Sequence, residues 1–273
     1  MLVYRGMDIG TAKPTAEELA LVPHHMVDIL PPEASFNVVD FKERAERLID
    51  EITARGKLPI IVGGTGLYIK ALLEDYKFSS KGEDSALRAE LERLLAEQGK
   101  EALYARLVKS APAEAGKIDI NNTRRVIRAI EAAESGDDLS HSKSEELVYD
   151  AAVFGLRMER SVLYERINRR VDIMLEQGLI EETRRLLEEG VPEMAQSMQA
   201  IGYRQTVLYL KGEWDKATAV DKIKQATRNF AKRQFTWYKK MPYVKWFNLD
   251  AEPNYENVTA EMIKTVVEKF KIG

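Results

Sequence analysis

Apolar residues recur at helical spacing between Val38 and Arg55, where Phe41, Ala45, Leu48 and Ile52 share one face and charged residues fill the others. That is the pattern of a helix with one side against a core. Lys57-Leu58-Pro59-Ile60-Ile61-Val62 is instead a short apolar run; it ends in Gly63-Gly64-Thr65-Gly66, and Leu67 to Leu73 then looks helical. A strand, a glycine turn and a helix form the building unit of a parallel α/β sheet, with Val38 to Arg55 as the crossover helix before it. Ala151 to Leu156 and Val244 to Phe247 are further candidate strands. From about Lys81 to Glu145 the signal is charged amphipathic helix, as in ALRAELERLLAEQG and EALYARLVKS, with no convincing strand. This predicts a helical insertion between two strands of the sheet, with the polar run SGDDLSHSKSEE, Ser135 to Glu146, as a flexible return connection. Ser161 to about Glu189 predicts another helical stretch, with Ile167, Val171, Met174 and Leu175 as its core stripe.

Composition narrows the class. The 273 residues are 45% hydrophobic and 31% charged, enough for one large domain or two. No apolar run approaches the roughly 18 residues of a membrane span, and the start lacks the succession of a signal peptide. A soluble, cytoplasmic protein is expected. The absence of cysteine excludes disulfides, thiol catalysis and cysteine-ligated zinc, and His24, His25 and His141 are too few for a histidine-rich metal site. The net charge of −3 hides a basic stretch, because Lys222 to Lys240 carries seven Lys or Arg and no acid. A local excess of that kind suits a polyanion.

Several short runs carry candidate chemistry, each with a plainer alternative. VGGTG at a strand end places backbone N–H groups and the Thr65 hydroxyl where parallel sheets bind ligands, or Gly63 and Gly64 simply make a tight turn. Arg166 and Arg170 in ERINRR share a helix face and suit a diphosphate, unless Glu165 and Asp172 hold them in surface ion pairs. Lys224, Arg228 and Lys232 form a stripe with Phe230, Phe235, Trp237 and Tyr238 interleaved, which fits RNA backbone and unpaired bases or else a basic face over buried aromatics. Arg124 and Arg128 in NNTRRVIRAIEAAE repeat the theme on one face. His24 and His25 have one neighbouring carboxylate, Asp28, and read as structural. The loop-rich run GMDIGTAKPTAEELALVPHHMVDI, Gly6 to Ile29, has no assignment from composition alone.

Taken in order, VYRGMDIGTAKPTAEE, VPHHMVDI, IIVGGTGLYIKALL, NNTRRVIRAIE, RINRRVDIMLEQGLIEE, QAIGYRQ and TRNFAKRQFTWYKK closely resemble the bacterial tRNA dimethylallyltransferases, also called tRNA isopentenyladenosine transferases. The resemblance implies a P-loop-kinase-like α/β core, residues 1–80 and 147–273, with an all-helical insertion, residues 81–146, that contacts tRNA. It implies transfer of a dimethylallyl group from dimethylallyl diphosphate to the exocyclic amine of the adenosine 3′ to the anticodon, assisted by Mg²⁺, by a monomer with no membrane attachment. Gly6, Asp8, Gly10, Thr11, Lys13, Gly63 and Gly64 would line the channel that receives the extruded base. Thr65 would be catalytic, and Arg166 and Arg170 would hold the diphosphate. Arg124, Arg125, Arg128, Gln199, Gly202, Tyr203, Arg204, Arg228, Lys232 and Arg233 would meet tRNA. Family members normally begin with a strand and a phosphate loop of the GPTASGKT kind, then a strand ending in Asp-Ser. This chain starts at Met1-Leu2-Val3-Tyr4, and no GxxxxGK[ST] occurs in it. The phosphate loop, the general-base aspartate, two core strands and the first helix are therefore expected to be missing, with little or no activity from the chain as given. An adenylate isopentenyltransferase and a non-catalytic tRNA-binding remnant are the competing functions.

Overall fold

Capping residues set many element boundaries in the computed structural model, which describes residues 1–76, 85–136 and 147–272. Thr15 and Glu18 close a capping box on α1 (Ala16–Leu21), and Asn37 with Asp40 does the same for α2 (Val38–Ala54). Helix α3 (Gly66–Leu73) follows the glycine turn. Helix α4 (Ser85–Ser110) is broken at Gly99, φ 81°, between the two amphipathic stretches, and α5 (Pro112–Ala115) follows it. Asn122 caps α6 (Thr123–Ser135), which ends on the left-handed Gly136. The rest comprises β1 (Val153–Met158), α7 (Arg160–Glu176), α8 (Leu179–Glu188), α9 (Tyr203–Leu210), α10 (Lys216–Tyr238), β2 (Val244–Leu249) and α11 (Tyr255–Phe270). Among the described residues no helix is long and apolar enough to cross a membrane.

The chain divides into two compact units, Met1–Leu72 with Tyr149–Gly273, and Leu73–Val148. In the first, β1 and β2 pair in parallel from Val153↔Val244 to Met158↔Leu249, and α7 to α10 supply the long connection that parallel pairing requires. Its core gathers Tyr4, Met7, Leu179, Leu186, Met198 and Tyr203, each at most 1% exposed. The N-terminal segment is therefore sealed against α8 and α9. In the second unit α4 and α6 bury Leu91, Leu103 and Leu107 against Val126, Ile127 and Ile130. Arg106 forks onto Glu134 with two contacts of 2.8 Å.

Two expectations are corrected. Lys57 to Val62 forms no strand in the described structure, with Ile60 79% and Val62 89% exposed, and the two strands of the described sheet pair only with each other. Helix α2 forms as expected, yet it crosses to no paired strand. The stretch from Ser161 to Glu189 is two helices, not one, because Gly178 takes φ 102° between α7 and α8. Residues 137–146 of the expected return connection, including His141, lie outside the described residues.

Candidate active site

The segment from Gly6 to Pro14 is held from inside. Glu182 on α8 is 7% exposed; its carboxylate accepts the N–H groups of Asp8 and Ile9 at 2.9 Å and of Gly10 at 3.2 Å. The Tyr203 hydroxyl donates to the same carboxylate at 2.6 Å. Burial first, and the Glu182 carboxylate second, push the Tyr203 hydroxyl far above the usual tyrosine range, so it remains a donor. Lys13 forms a second staple: its ammonium donates to the Tyr4 carbonyl at 2.9 Å and reaches Asp8 and Asp28 at 2.5 Å each. The Thr11 hydroxyl donates to the Met7 carbonyl at 2.6 Å, and Arg185 donates to the Gly6 carbonyl at 2.8 Å. Ala12, Met26 and Asp28 sit at φ 51°, 63° and 55°, conformations that side chains adopt at a cost. Of the expected tRNA contacts, Tyr203 is corrected: it is 0% exposed and its hydroxyl is engaged by Glu182, so it supports the segment rather than meeting a ligand.

The glycine turn lies against α10. Gln234 donates to the Gly64 carbonyl at 2.9 Å, and a Cβ on Gly64 would fall 1.8 Å from the Gln234 amide nitrogen. Gly63 has nothing within 4 Å. Thr65 precedes α3 with its carbonyl bound to the N–H groups of Tyr68 and Ile69. Its side chain is exposed, and the hydroxyl has no partner among the described residues.

Helix α7 has two faces. Asn168 and Asp172 point at α10, where Arg228 donates to Asn168 at 2.7 Å and Lys224 pairs with Asp172 at 2.6 Å. At about 100° per residue, Arg166 and Arg170 fall on the opposite side. Both are exposed, and among the described residues neither has an ion pair; Arg166 donates to the Tyr255 hydroxyl at 2.9 Å, and Arg170 is free. Surface pairing with Asp172 is thus taken by Lys224. The structure shows no hydrogen bond or ion pair between these arginines and either Thr65 or the Gly6 to Lys13 segment among the described residues.

The basic stripe of α10 divides likewise. Lys224 and Arg228 dock the helix on α7, whereas Lys232 and Arg233 line a shallow groove of about 330 Å³ with Asn229, Thr236 and Trp237. The Arg233 guanidinium lies 5.8 Å from the Phe230 ring centre. Phe230, Phe235 and Trp237 are 39%, 42% and 43% exposed, so these aromatics are not core. Gln199 donates to the Glu193 carbonyl at 2.8 Å, Gly202 is buried at φ 99° as the cap of α9, and Arg204 is exposed. In the other unit, Glu131 and Glu134 of α6 pair with Arg88 and Arg106 of α4, while Arg124, Arg125 and Arg128 are exposed and unpaired. Among the described residues no group of three or more His, Asp or Glu could hold a metal ion.

Glu182 is the residue the sequence reading missed. Its signal was present: it stands on the apolar face of a helix with Leu179, Thr183 and Leu186, where a carboxylate requires donors.

The IPP transferase family profile matches residues 2–241. The tRNA dimethylallyltransferase of Exiguobacterium sp. is 46% identical over 273 residues, covering 99% of this chain and 87% of that protein. That of Bacillus velezensis is 46% identical over 276 residues, covering 100% and 88%. The crystal structure of the full-length tRNA isopentenylpyrophosphate transferase of Bacillus halodurans is 42% identical with a TM-score of 0.71, covering 99% of this chain and 86% of that one. A eukaryotic dimethylallyltransferase, captured in crystallographic snapshots acting on tRNA, gives a TM-score of 0.76 at 26% identity and covers 98% and 69%.

Proposed function

Because the chain belongs to the IPP transferase family, we propose that it transfers a dimethylallyl group from dimethylallyl diphosphate to the exocyclic amine of the adenosine 3′ to the anticodon of a tRNA. The amine nitrogen attacks the allylic carbon, the carbon–oxygen bond to diphosphate breaks, and the nitrogen's proton passes to solvent water as diphosphate leaves. The observation that carries the reading is the free guanidinium of Arg170 beside Arg166 on α7, with the competing Asp172 paired to Lys224. Two forks on one helix face would stabilise the charge that grows on the leaving diphosphate. The unengaged Thr65 hydroxyl is available to orient the attacking amine. Arg124, Arg125 and Arg128 in one unit, and Arg204, Lys232 and Arg233 in the other, are exposed and would neutralise tRNA phosphates. Three unpaired arginines on α6 favour tRNA over free adenylate as acceptor, since a mononucleotide has no backbone to engage them. Mg²⁺ belongs to the proposal only as a counter-ion brought by diphosphate, and no step depends on it. We further propose a monomeric, cytoplasmic enzyme with little or no activity from these 273 residues, which carry no GxxxxGK[ST] run to hold diphosphate.

Binding of a non-reactive thio analogue of dimethylallyl diphosphate tests the reading. The chain is expected to bind both the analogue and an anticodon stem-loop, with Arg170→Ala weakening the analogue at least about tenfold and leaving the stem-loop unchanged. Stem-loop binding without analogue binding would establish a non-catalytic RNA-binding protein instead.

A further inference from the structure

Three successive backbone N–H groups, those of Asp8, Ile9 and Gly10, converge on one carboxylate. Such an array is an anion-binding nest, the geometry that elsewhere receives phosphate. Here the anion is internal. We propose that Glu182, completed by Tyr203, is a positioning residue that fills this nest and fixes the outer face of the Gly6 to Lys13 segment for the anticodon loop of tRNA, an inference that rests on the function proposed above.

The geometry carries the argument in three ways. First, the nest is closed to substrate: Glu182 is 7% exposed and its fourth donor, Tyr203, is wholly buried, so the segment can offer a ligand only its other side. Second, Asp8 is fixed at both ends. Its N–H is held by Glu182 and its carboxylate by Lys13, whose side chain is 5% exposed, while the Asp8 side chain itself is 58% exposed. Third, stability alone does not call for a carboxylate here, because a buried charge with its donors is often no better than an apolar residue of similar size. What the carboxylate supplies is a single conformation for three amides that an apolar side chain could not hold. Two residues beyond these amides, Ala12 holds a φ of 51° that its side chain disfavours.

The test compares the parent chain with Glu182→Gln and Tyr203→Phe, the second retaining the buried ring and removing only one donor. Amide hydrogen exchange of residues 8–10, stem-loop affinity and thio-analogue affinity are measured on each. Glu182→Gln is expected to speed exchange of these amides and weaken the stem-loop about tenfold, with analogue affinity within about twofold; Tyr203→Phe moves the same quantities in the same direction by less. A merely structural role would lower both affinities together or neither. Parent-like stem-loop affinity in both variants, or amides that stay protected, would overturn the positioning role alone. A parent chain that binds no stem-loop overturns the functional reading first, and this role with it.

Discussion

Gly10 and Gly63 look alike in the sequence and differ in what surrounds them. A Cβ on Gly10 would stand 2.6 Å from the buried Tyr203 ring, which cannot withdraw, whereas Gly63 has open space. Gly10→Ala is therefore expected to destabilise the chain by about 1–3 kcal/mol and Gly63→Ala by less than about 0.5 kcal/mol in denaturant unfolding. Equal effects would show that Tyr203 does not hold this segment. Thr65→Ala should likewise change stability by less than about 0.5 kcal/mol, since its exposed hydroxyl has no partner, yet slow dimethylallyl transfer; an unchanged transfer rate would remove Thr65 from the mechanism. Residue types legible in the sequence thus acquire roles through partners far along the chain. Glu182 lies more than 170 residues from the amides it holds, and no local pattern announces that contact.

Helices were read well where a stripe and a cap coincide, as in α2 with Asn37 and α6 with Asn122. Periodicity failed at Gly178, because apolar residues on both sides keep helical spacing across a break made by one positive φ. It also failed to divide α10, whose stripe contains both docking residues and unpaired ones. On α6 the separation is clean, so Arg124→Glu with Arg128→Glu is expected to leave folding intact and weaken tRNA binding. The logarithmic salt dependence should flatten by about 1 for each arginine that contacts a phosphate. An unaltered salt slope would place tRNA elsewhere. The same unit has a pH signature. Hydrogen bonds from Arg106 hold the Glu134 carboxyl below its usual range, so its contribution is present above the unfolded value near 4.5 and is lost as pH falls through the lowered folded value. Its side chain is 29% exposed, and the pair should be worth no more than about 1 kcal/mol. Amide protection of α6 should therefore weaken on acidification below about pH 4.5 in the parent and less so in Glu134→Gln.

For the molecule as a whole, the run Lys57 to Val62 matters most. It has the composition of a buried strand and, among the described residues, no strand beside it, with Ile60 and Val62 mostly in solvent. An unpaired apolar edge promotes association between copies. Ile60→Lys with Val62→Glu is expected to reduce non-specific aggregation of the monomer in light scattering at high concentration while changing stability by less than about 0.5 kcal/mol; undiminished aggregation would place the sticky surface elsewhere. The α/β class and the two paired strands were legible, because each carries its own local pattern. The pairing of 57–62 was not, because a strand is completed only by its neighbours. The most direct test is nucleoside analysis of unmodified tRNA incubated with dimethylallyl diphosphate and an excess of this chain. The expected result is slow appearance of dimethylallyl on the exocyclic amine of the adenosine 3′ to the anticodon, suppressed by Arg170→Ala. Label on any other nucleotide, or label undiminished by Arg170→Ala, would contradict it.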